Sequence, residues 1–391
     1  MMELYPGSKI GVIGGGQLGR MFILECRRMN YYSVVMDSDL DCPAAEVADK
    51  AVAPDNIMGF ISSSDVATYE FEHLDIEIVR EIQRHIPVYP DLSILDLKRS
   101  KTSEKKFLLE NGFPVPKFWV LQSGSKINEL NAELPLIVKL AHGGYDGKGI
   151  FTLKKIEHLD DIKHGIKEEI LVEEFVPFLK EISVICARDK KGNIVCYPPA
   201  ENVNDRGILL YSIAPAEITK KAQKMAFEIA SDLSEKLNLM GLLCVEMFLL
   251  DEDKIVINEF APRPHNSGHY TMDGCDISQF EMLLRAICGI PLTKPRLLCH
   301  SAMLNILGKG PDDIDLQKIL SLLGVKTHFY GKRQKRERRK MGHINILGRT
   351  RKEIKERLFY IKGIIYPENA FINHTLPSER NKAGMAVNVK K

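Results

Sequence analysis

No run in the 391-residue chain is long and apolar enough to span a bilayer. The best candidate, Leu242–Leu250, falls short of the roughly 18 residues required and is interrupted by Glu246. A surplus of one charge is also missing. Fifty-four Lys plus Arg against 52 Asp plus Glu leave a net charge of +2, so no whole-molecule field exists to hold a long polyanion. Any anion must therefore be bound at a local site. The eight cysteines include no CxxC pair and no regular spacing, which argues for reduced, mostly buried thiols over a zinc site or a disulfide framework. The first residues, MMELYPGSKIGVIGGGQLG, are acidic where a signal peptide is basic, so a soluble, unexported, cytoplasmic protein is expected. Internal repeats and low-complexity tracts are absent as well. With 45% hydrophobic and 27% charged residues the chain is ordinarily globular, and it exceeds what one core of ~250–300 residues encloses.

The opening hundred residues alternate in βα fashion. Lys9–Ile13 ends in Gly14-Gly15-Gly16, helix-compatible sequence follows from Gln17 to about Met29, and Tyr32–Met36 ends at Asp37. Asp65–Tyr69 precedes a helical pattern through Ile76, Val79 and Ile82, and Lys98 to Glu110 reads as a further helix. That alternation predicts a parallel sheet covered by helices. The middle region changes character: strand-like runs at Pro135–Leu140, Gly149–Leu153, Ile170–Val176, Glu181–Ala187 and Tyr211–Ala214 are separated by short turns. One long helix, about Glu217 to Leu237, precedes strands Leu242–Leu249 and Lys254–Ile257, so a mostly antiparallel α+β domain is expected. A smaller mixed segment with strands His300–Ile306 and His343–Leu347 follows.

Five segments carry possible chemistry. Gly14-Gly-Gly-Gln-Leu-Gly19 is G-x-G-x-x-G between a strand and a helix, with Asp37 ending the next strand. Such glycines let backbone amides approach a phosphate, so a dinucleotide, another phosphorylated ligand or a purely structural turn all remain open. Lys139-Leu-Ala-His-Gly-Gly-Tyr-Asp-Gly-Lys-Gly149 ends a strand on a lysine and returns through four glycines; it lacks the GxxxxGK[ST] pattern, yet its amides can fold over phosphates. Glu246, inside an apolar run, and Asn258-Glu259 lie on strands joined by the turn Asp251-Glu252-Asp253, which brings two carboxylates together. Buried carboxylates repel unless a cation lies between them, and Mg²⁺ shares oxygen ligands with nucleotide phosphates. Arg263, His265, Asn266 and His269 crowd the Pro/Gly-rich loop that follows. In Lys332–Lys340 seven of nine residues are cationic; without interleaved aromatics this reads as a solvated loop in which only Arg339 and Lys340, beside the next strand, act on a ligand.

In this order, GGGQLGRM, TYEFEH, IVKLAHGGYDGKG, INEFAPRPHNSGHYT and RRKMGHIN resemble the ATP-grasp enzymes over about residues 9–350. Within them the resemblance is to the ATP-dependent carboxylases of 5-aminoimidazole ribonucleotide (AIR) in purine biosynthesis. It implies a Rossmann-like parallel-sheet domain at 1–98, an ATP-grasp domain at 99–291 with a lid subdomain at about 117–176, and a small C-terminal domain at 292–391. Lys101 and Lys139 would contact ATP phosphates beneath the loop containing Gly144 and Gly147. Glu173, Glu174, Phe175 and Val176 would form the hinge that reads adenine, Glu181 would accept from ribose hydroxyls, and Asn204 stands where some relatives have a nucleotide-contacting His. Glu246 and Glu259, with Asn258, match the residues around two Mg²⁺ ions.

Tyr145, Asp146, Lys148, His265, Arg339 and Lys340 match catalytic positions, and Gln17, Leu18, Glu72, Arg263, Asn266 and Ser267 match the AIR and bicarbonate site. Only small-molecule substrates and a homodimer are implied, with neither nucleic acid nor membrane as partner. The implied reaction is carboxylation of AIR with bicarbonate, giving ADP and phosphate through carboxyphosphate. Formate-dependent glycinamide ribonucleotide transformylases and biotin carboxylases would share the nucleotide site, and an NAD-linked oxidoreductase would use Gly14–Gly19 while leaving Glu246 and Glu259 without a task.

Overall fold

The computed structural model describes residues 3–122, 132–142, 149–155 and 169–367. The N-terminal part is a parallel sheet in the order β3(Lys50–Val52)-β2(Tyr32–Met36)-β1(Lys9–Ile13)-β4(Val66–Tyr69)-β5(Val88–Tyr89). The apolar runs of β1 and β2 are buried on four of five residues each, as strands covered on both faces require. Helix α1 (Gln17–Arg28) follows the glycines and buries Leu18, Met21, Phe22 and Cys26, a stripe at helical spacing. The expected parallel βα organisation is present, with α2 (Ile57–Ile61) after β3 and α3 (Ile76–Gln83) after β4. The stretch read as one helix from Lys98 is two: α4 (Leu92–Lys98) ends at Arg99, and α5 (Lys101–Glu110) restarts where the Ser100 hydroxyl accepts the Ser103 N–H. A serine N-cap in extended conformation interrupts helical geometry even between two helix-forming stretches.

The central region holds two antiparallel sheets. A four-stranded one runs β6(Phe118–Leu121)-β9(Ile170–Glu174)-β7(Leu136–Leu140)-β8(Ile150–Leu153). A nine-stranded one is built on β10 (Lys180–Arg188), β14 (Gly241–Asp251) and β15 (Lys254–Ala261). Helix α6 (Lys220–Lys236) covers it with Ala222, Ala226 and Ala230, each wholly buried; this four-residue spacing of small side chains lets the helix axis lie close to β10 and β14.

The same sheet continues without a break toward the C-terminus. Its order is β15-β14-β10-β12(Ala200–Asp205)-β13(Ile208–Ala214)-β16(His300–Leu307)-β18(Lys340–Gly348)-β17(Val325–Phe329), with β11 (Ile194–Cys196) beside β10. The join is the β13–β16 pair, in register from Tyr211↔Leu304 to Ala214↔Ser301. On one face Leu304, Ile306, Ile344 and Ile346 pack against Ile354, Leu358 and Ile361 of the helix Arg351–Ile365. No helix among the described residues is long and apolar enough to cross a membrane. Leu304 is fully buried at this join, so Leu304→Ala is expected to cost about 2–5 kcal/mol. Urea unfolding followed by circular dichroism measures it, and a loss below 1 kcal/mol would show that the join tolerates a void.

Candidate active site

The carboxylate pair occupies adjacent strands. Glu246 on β14 stands directly opposite Glu259 on β15, and the register then slips so that Met247 faces Ile257. Asn258 is the extra residue of this bulge, and a bulge re-aims side chains next to the unpaired residue. Three lysines converge here. The Lys139 ammonium donates to Asn258 Oδ1 at 3.2 Å, that of Lys105 to the Asn258 carbonyl at 2.7 Å, and that of Lys101 lies 3.6 Å from Glu259. Lys101 and Lys105 come from the first turns of α5, four residues apart on one helix face. Lys139 comes from β7, and its amine also meets Glu173 of β9 at 2.6 Å, while the other Glu173 oxygen meets Lys105 at 2.8 Å. Glu173 thus ties the small sheet and α5 to the bulge.

The electrostatics follow from this crowding. Burial opposes ionisation of Glu173, but Lys139 and Lys105 outweigh it and hold the carboxyl at about 2. Lys101 foremost, with Lys98 and Lys139, holds Glu259 far below the ordinary carboxylate range. Glu181, on β10, goes the other way: burial and the neighbouring Glu246 push it up to about 8, against the 2.6 Å hydrogen bond from the Asn204 amide. The His265 imidazole lies 3.0 Å from Glu246. Burial would lower its pKa, but Cys244 and Glu246 raise it to about 10.

Among the described residues no three His, Cys, Asp or Glu side chains enclose a metal by themselves. Glu246, Glu259 and Asn258 nevertheless present hard oxygen donors on one stretch of two strands. Such a partial set suits Mg²⁺, which completes its shell with waters and phosphate oxygens. The residues present therefore fit that ion.

Behind these groups, Ser267 Oγ lies 2.8 Å from both His265 Nδ1 and Ser183 Oγ, which orients the imidazole. Asn266 is locked in a two-way amide pair with Asn305 of β16, at 3.1 and 2.6 Å. Arg263 Nε pairs with the buried Glu72 at 2.9 Å, which links the loop to the N-terminal sheet. Glu174 pairs with Lys117, and Phe175 and Val176 follow half-buried, with the Phe175 N–H on the Pro135 carbonyl. Leu18 packs in the core, and Gln17 opens α1. Lys340 starts β18, and its carbonyl accepts from Lys332; the Arg339 guanidinium donates to the Gln334 carbonyl. Gly144, Tyr145, Asp146, Gly147 and Lys148 lie outside the described residues.

Sequence reasoning passed over Lys105, Glu104 and Arg338. Glu104 pairs with Lys98 at 2.6 Å and accepts the Phe260 N–H at 2.8 Å, which anchors β15 just beyond Glu259. The signal was the spacing Lys101, Glu104, Lys105, which sets all three on one face of the expected helix. Arg338, in left-handed conformation (φ 62°), donates to the Asp205 and Arg206 carbonyls and so fastens the basic segment to the β12–β13 turn. Phe178 also stacks on Phe248 of β14, with centroids 4.6 Å apart.

The glycine loop of the first domain has a different task from the one its pattern suggests. Asp37 accepts the Gly15 N–H at 2.7 Å, and Glu70 accepts the N–H groups of Gly19 (2.7 Å) and Gly16. The donors that would receive a pyrophosphate hold the protein's own carboxylates. Space is closed as well: a Cβ on Gly15 would sit 2.1 Å from Cys42 Sγ, and one on Gly16 would sit 2.4 Å from Glu70.

Three family models match in chain order: the ribonucleotide synthetase preATP-grasp domain at residues 7–98, the ATP-grasp domain at 106–280, and the phosphoribosylaminoimidazole carboxylase C-terminal domain at 301–357. The N5-carboxyaminoimidazole ribonucleotide synthase of Aquifex aeolicus is 42% identical over 352 residues, covering 89% of this chain and 94% of that one. The chain belongs to the N5-carboxyaminoimidazole ribonucleotide synthase family. The Saccharolobus solfataricus member is 40% identical over 92% of this chain and 96% of its own. Among solved structures, the Staphylococcus aureus synthetase complexed with ADP matches with a TM-score of 0.85 and 31% identity, covering 92% of this chain and 98% of that one. The Aspergillus clavatus enzyme in complex with ADP and 5-aminoimidazole ribonucleotide matches with a TM-score of 0.85 and 28% identity, covering 93% and 99%. The ATP-grasp fold, with its parallel N-terminal sheet and family C-terminal domain, agrees with the expectation from sequence, as does membership of an ATP-dependent ligase family.

Because Glu173 is held at about 2 against an ordinary 4.5, its ionisation stabilises the fold fully above pH 4.5 and is lost as pH falls from there toward 2. Glu173→Gln leaves two buried ammonium groups short of a counter-charge, so a loss of about 3–5 kcal/mol is expected at pH 7. Urea titrations at pH 7 and pH 3 should show the gap between the two proteins narrowing in acid; a gap independent of pH would contradict this account.

Proposed function

We propose that the chain carboxylates AIR with bicarbonate at the expense of ATP, giving N5-carboxyaminoimidazole ribonucleotide, ADP and phosphate in purine biosynthesis. The single observation that carries the site assignment is the bulge that gathers Glu246, Asn258 and Glu259 among Lys101, Lys105 and Lys139. In this reading a bicarbonate oxygen attacks the γ-phosphorus of ATP, the bond to ADP breaks, and carboxyphosphate forms. Lys139 and Lys101, already directed at the acidic face, bind the phosphates and spread the charge of the transferring group. Glu246 and Glu259, with Asn258 beside them, would hold Mg²⁺, which would supply charge neutralisation for the phosphates. Glu173 fixes Lys139 before substrate arrives, so little reorganisation accompanies transfer.

Carboxyphosphate then divides into CO₂ and phosphate, and the exocyclic amine of AIR adds to CO₂ and loses a proton. His265, 3.0 Å from Glu246, and Lys340 at the start of β18 are assigned to hold the anionic intermediate and AIR. Arg339, Gln17, Glu72 and Arg263 are assigned to the wall around AIR, the last two as a preformed ion pair. Asp146, with Tyr145 beside it in sequence, is assigned to accept the amine proton. Glu173 to Val176 are assigned to adenine and Glu181 with Asn204 to ribose; the Phe178–Phe248 stack supports a flat apolar wall there. A cytoplasmic homodimer, with domain limits at 98 and 291, completes the reading.

Phosphate release from ATP, measured with and without AIR and bicarbonate, tests the reaction; release that ignores AIR would require another substrate. Asp146→Asn is expected to lower AIR carboxylation by about 10²–10⁴-fold. Its melting temperature should still rise with Mg-ATP and not with NADH, and loss of the nucleotide response would move Asp146 from proton transfer to structure.

A further inference from the structure

We infer that Gln279, the first residue of the helix Gln279–Cys288, is a positioning residue for the His265 imidazole, acting through the backbone of the loop that carries it; the inference rests on the reading of His265 given above. The Gln279 side chain is wholly buried and engages both backbone groups of His265. Its Oε1 accepts the His265 N–H at 2.9 Å, and its Nε2 donates to the His265 carbonyl at 2.9 Å. Because one contact needs an acceptor and the other a donor, the amide has a single workable orientation. The same Nε2 lies 3.0 Å from His269 Nδ1, and burial foremost keeps that ring neutral, so Nδ1 accepts.

The helix end is itself tied to the loop. The Gln279 N–H donates to Thr271 Oγ1 at 2.9 Å, and that hydroxyl donates to the Gly268 carbonyl at 2.7 Å. Residues 265–271 are thereby closed into a ring whose floor is the Gln279 amide. Gly268 lies directly on that floor: a Cβ there would sit 2.8 Å from Gln279 Oε1 and 2.0 Å from Ile185 Cδ1. From the ring only the His265 side chain reaches Glu246, guided by Ser267 on its other nitrogen. Gln279 therefore fixes where the imidazole starts, and Ser267 fixes which way it turns. A shift of about 1 Å in a reacting group can cost on the order of a hundredfold in rate, so the backbone anchor carries catalytic weight without touching substrate.

Two variants test this in the full-length protein. Gln279→Leu keeps the volume and removes both bonds; Gln279→Glu keeps the acceptor for the His265 N–H and loses the donor. For Gln279→Leu, kcat for AIR-dependent phosphate release should fall about 10–100-fold while KM for ATP stays within about twofold. Gln279→Glu should recover part of the loss. Hydrogen exchange of the 264–269 amides should accelerate in the same order, Leu above Glu above the parent. An unchanged kcat, or a KM for ATP that rises as kcat falls, would overturn the proposal in favour of a general structural role. If the parent protein itself releases no phosphate in response to AIR, the reaction assignment fails; the exchange pattern then decides alone whether Gln279 anchors the loop.

Discussion

One irregularity in strand pairing organises the site. In regular antiparallel register, successive side chains of β15 would point to opposite faces, and Asn258 could not join Glu259 beside Glu246. The inserted residue breaks that alternation and frees the Asn258 carbonyl to receive Lys105. Everything cationic nearby is then disposed around a local excess of oxygen atoms. Lys101, Lys105 and Lys139 come from a helix and a separate sheet, and the two buried ones, Lys105 and Lys139, would not stay so without those acceptors.

The opposite behaviour of Glu173 and Glu181 expresses the same balance. Glu173 is buried in the small sheet and Glu181 half-buried in the large one, yet the first is strongly acidic between two lysines and the second weakly acidic beside another carboxylate. The site is therefore graded, cation-rich toward the small sheet and carboxylate-rich toward the large one. The cation-rich end suits an anionic phosphate chain and the carboxylate-rich end suits a cation. The polar contacts Asn266–Asn305 and Asn345–His269 then couple the loop after β15 to β16 and β18, so the strands that carry Lys340 are registered to the loop that carries His265.

Much of this was legible in the residues. The strands around Gly14, the helix near Lys220–Lys236, and the pairing of Glu246 with Glu259 followed from apolar runs, spacing and a short acidic turn. Three kinds of feature were not. Short strands such as Lys50–Val52 and Ile194–Cys196 carry too few residues to show a period. The union of β13 with β16 is a long-range pairing that no local pattern encodes. Lys105 reads as a surface lysine because its burial depends on Glu173, which lies far along the chain. The helix Arg351–Ile365 was different: Ile354, Leu358, Ile361 and Ile365 display its period openly, although the expected elements ended at Leu347.

The first domain's glycine turn has a wider consequence. With Asp37 and Glu70 holding the Gly15, Gly16 and Gly19 N–H groups, the turn is closed by the chain's own carboxylates, and its glycines serve tight internal packing. A side chain at either of the first two of these amides would meet Cys42 or Glu70, so the turn admits only glycine at Gly15 and Gly16. Since Asp37 follows β2 and Glu70 follows β4, the turn after β1 is clasped from both neighbouring strands, which fixes the edge of the parallel sheet from which Glu72 reaches Arg263.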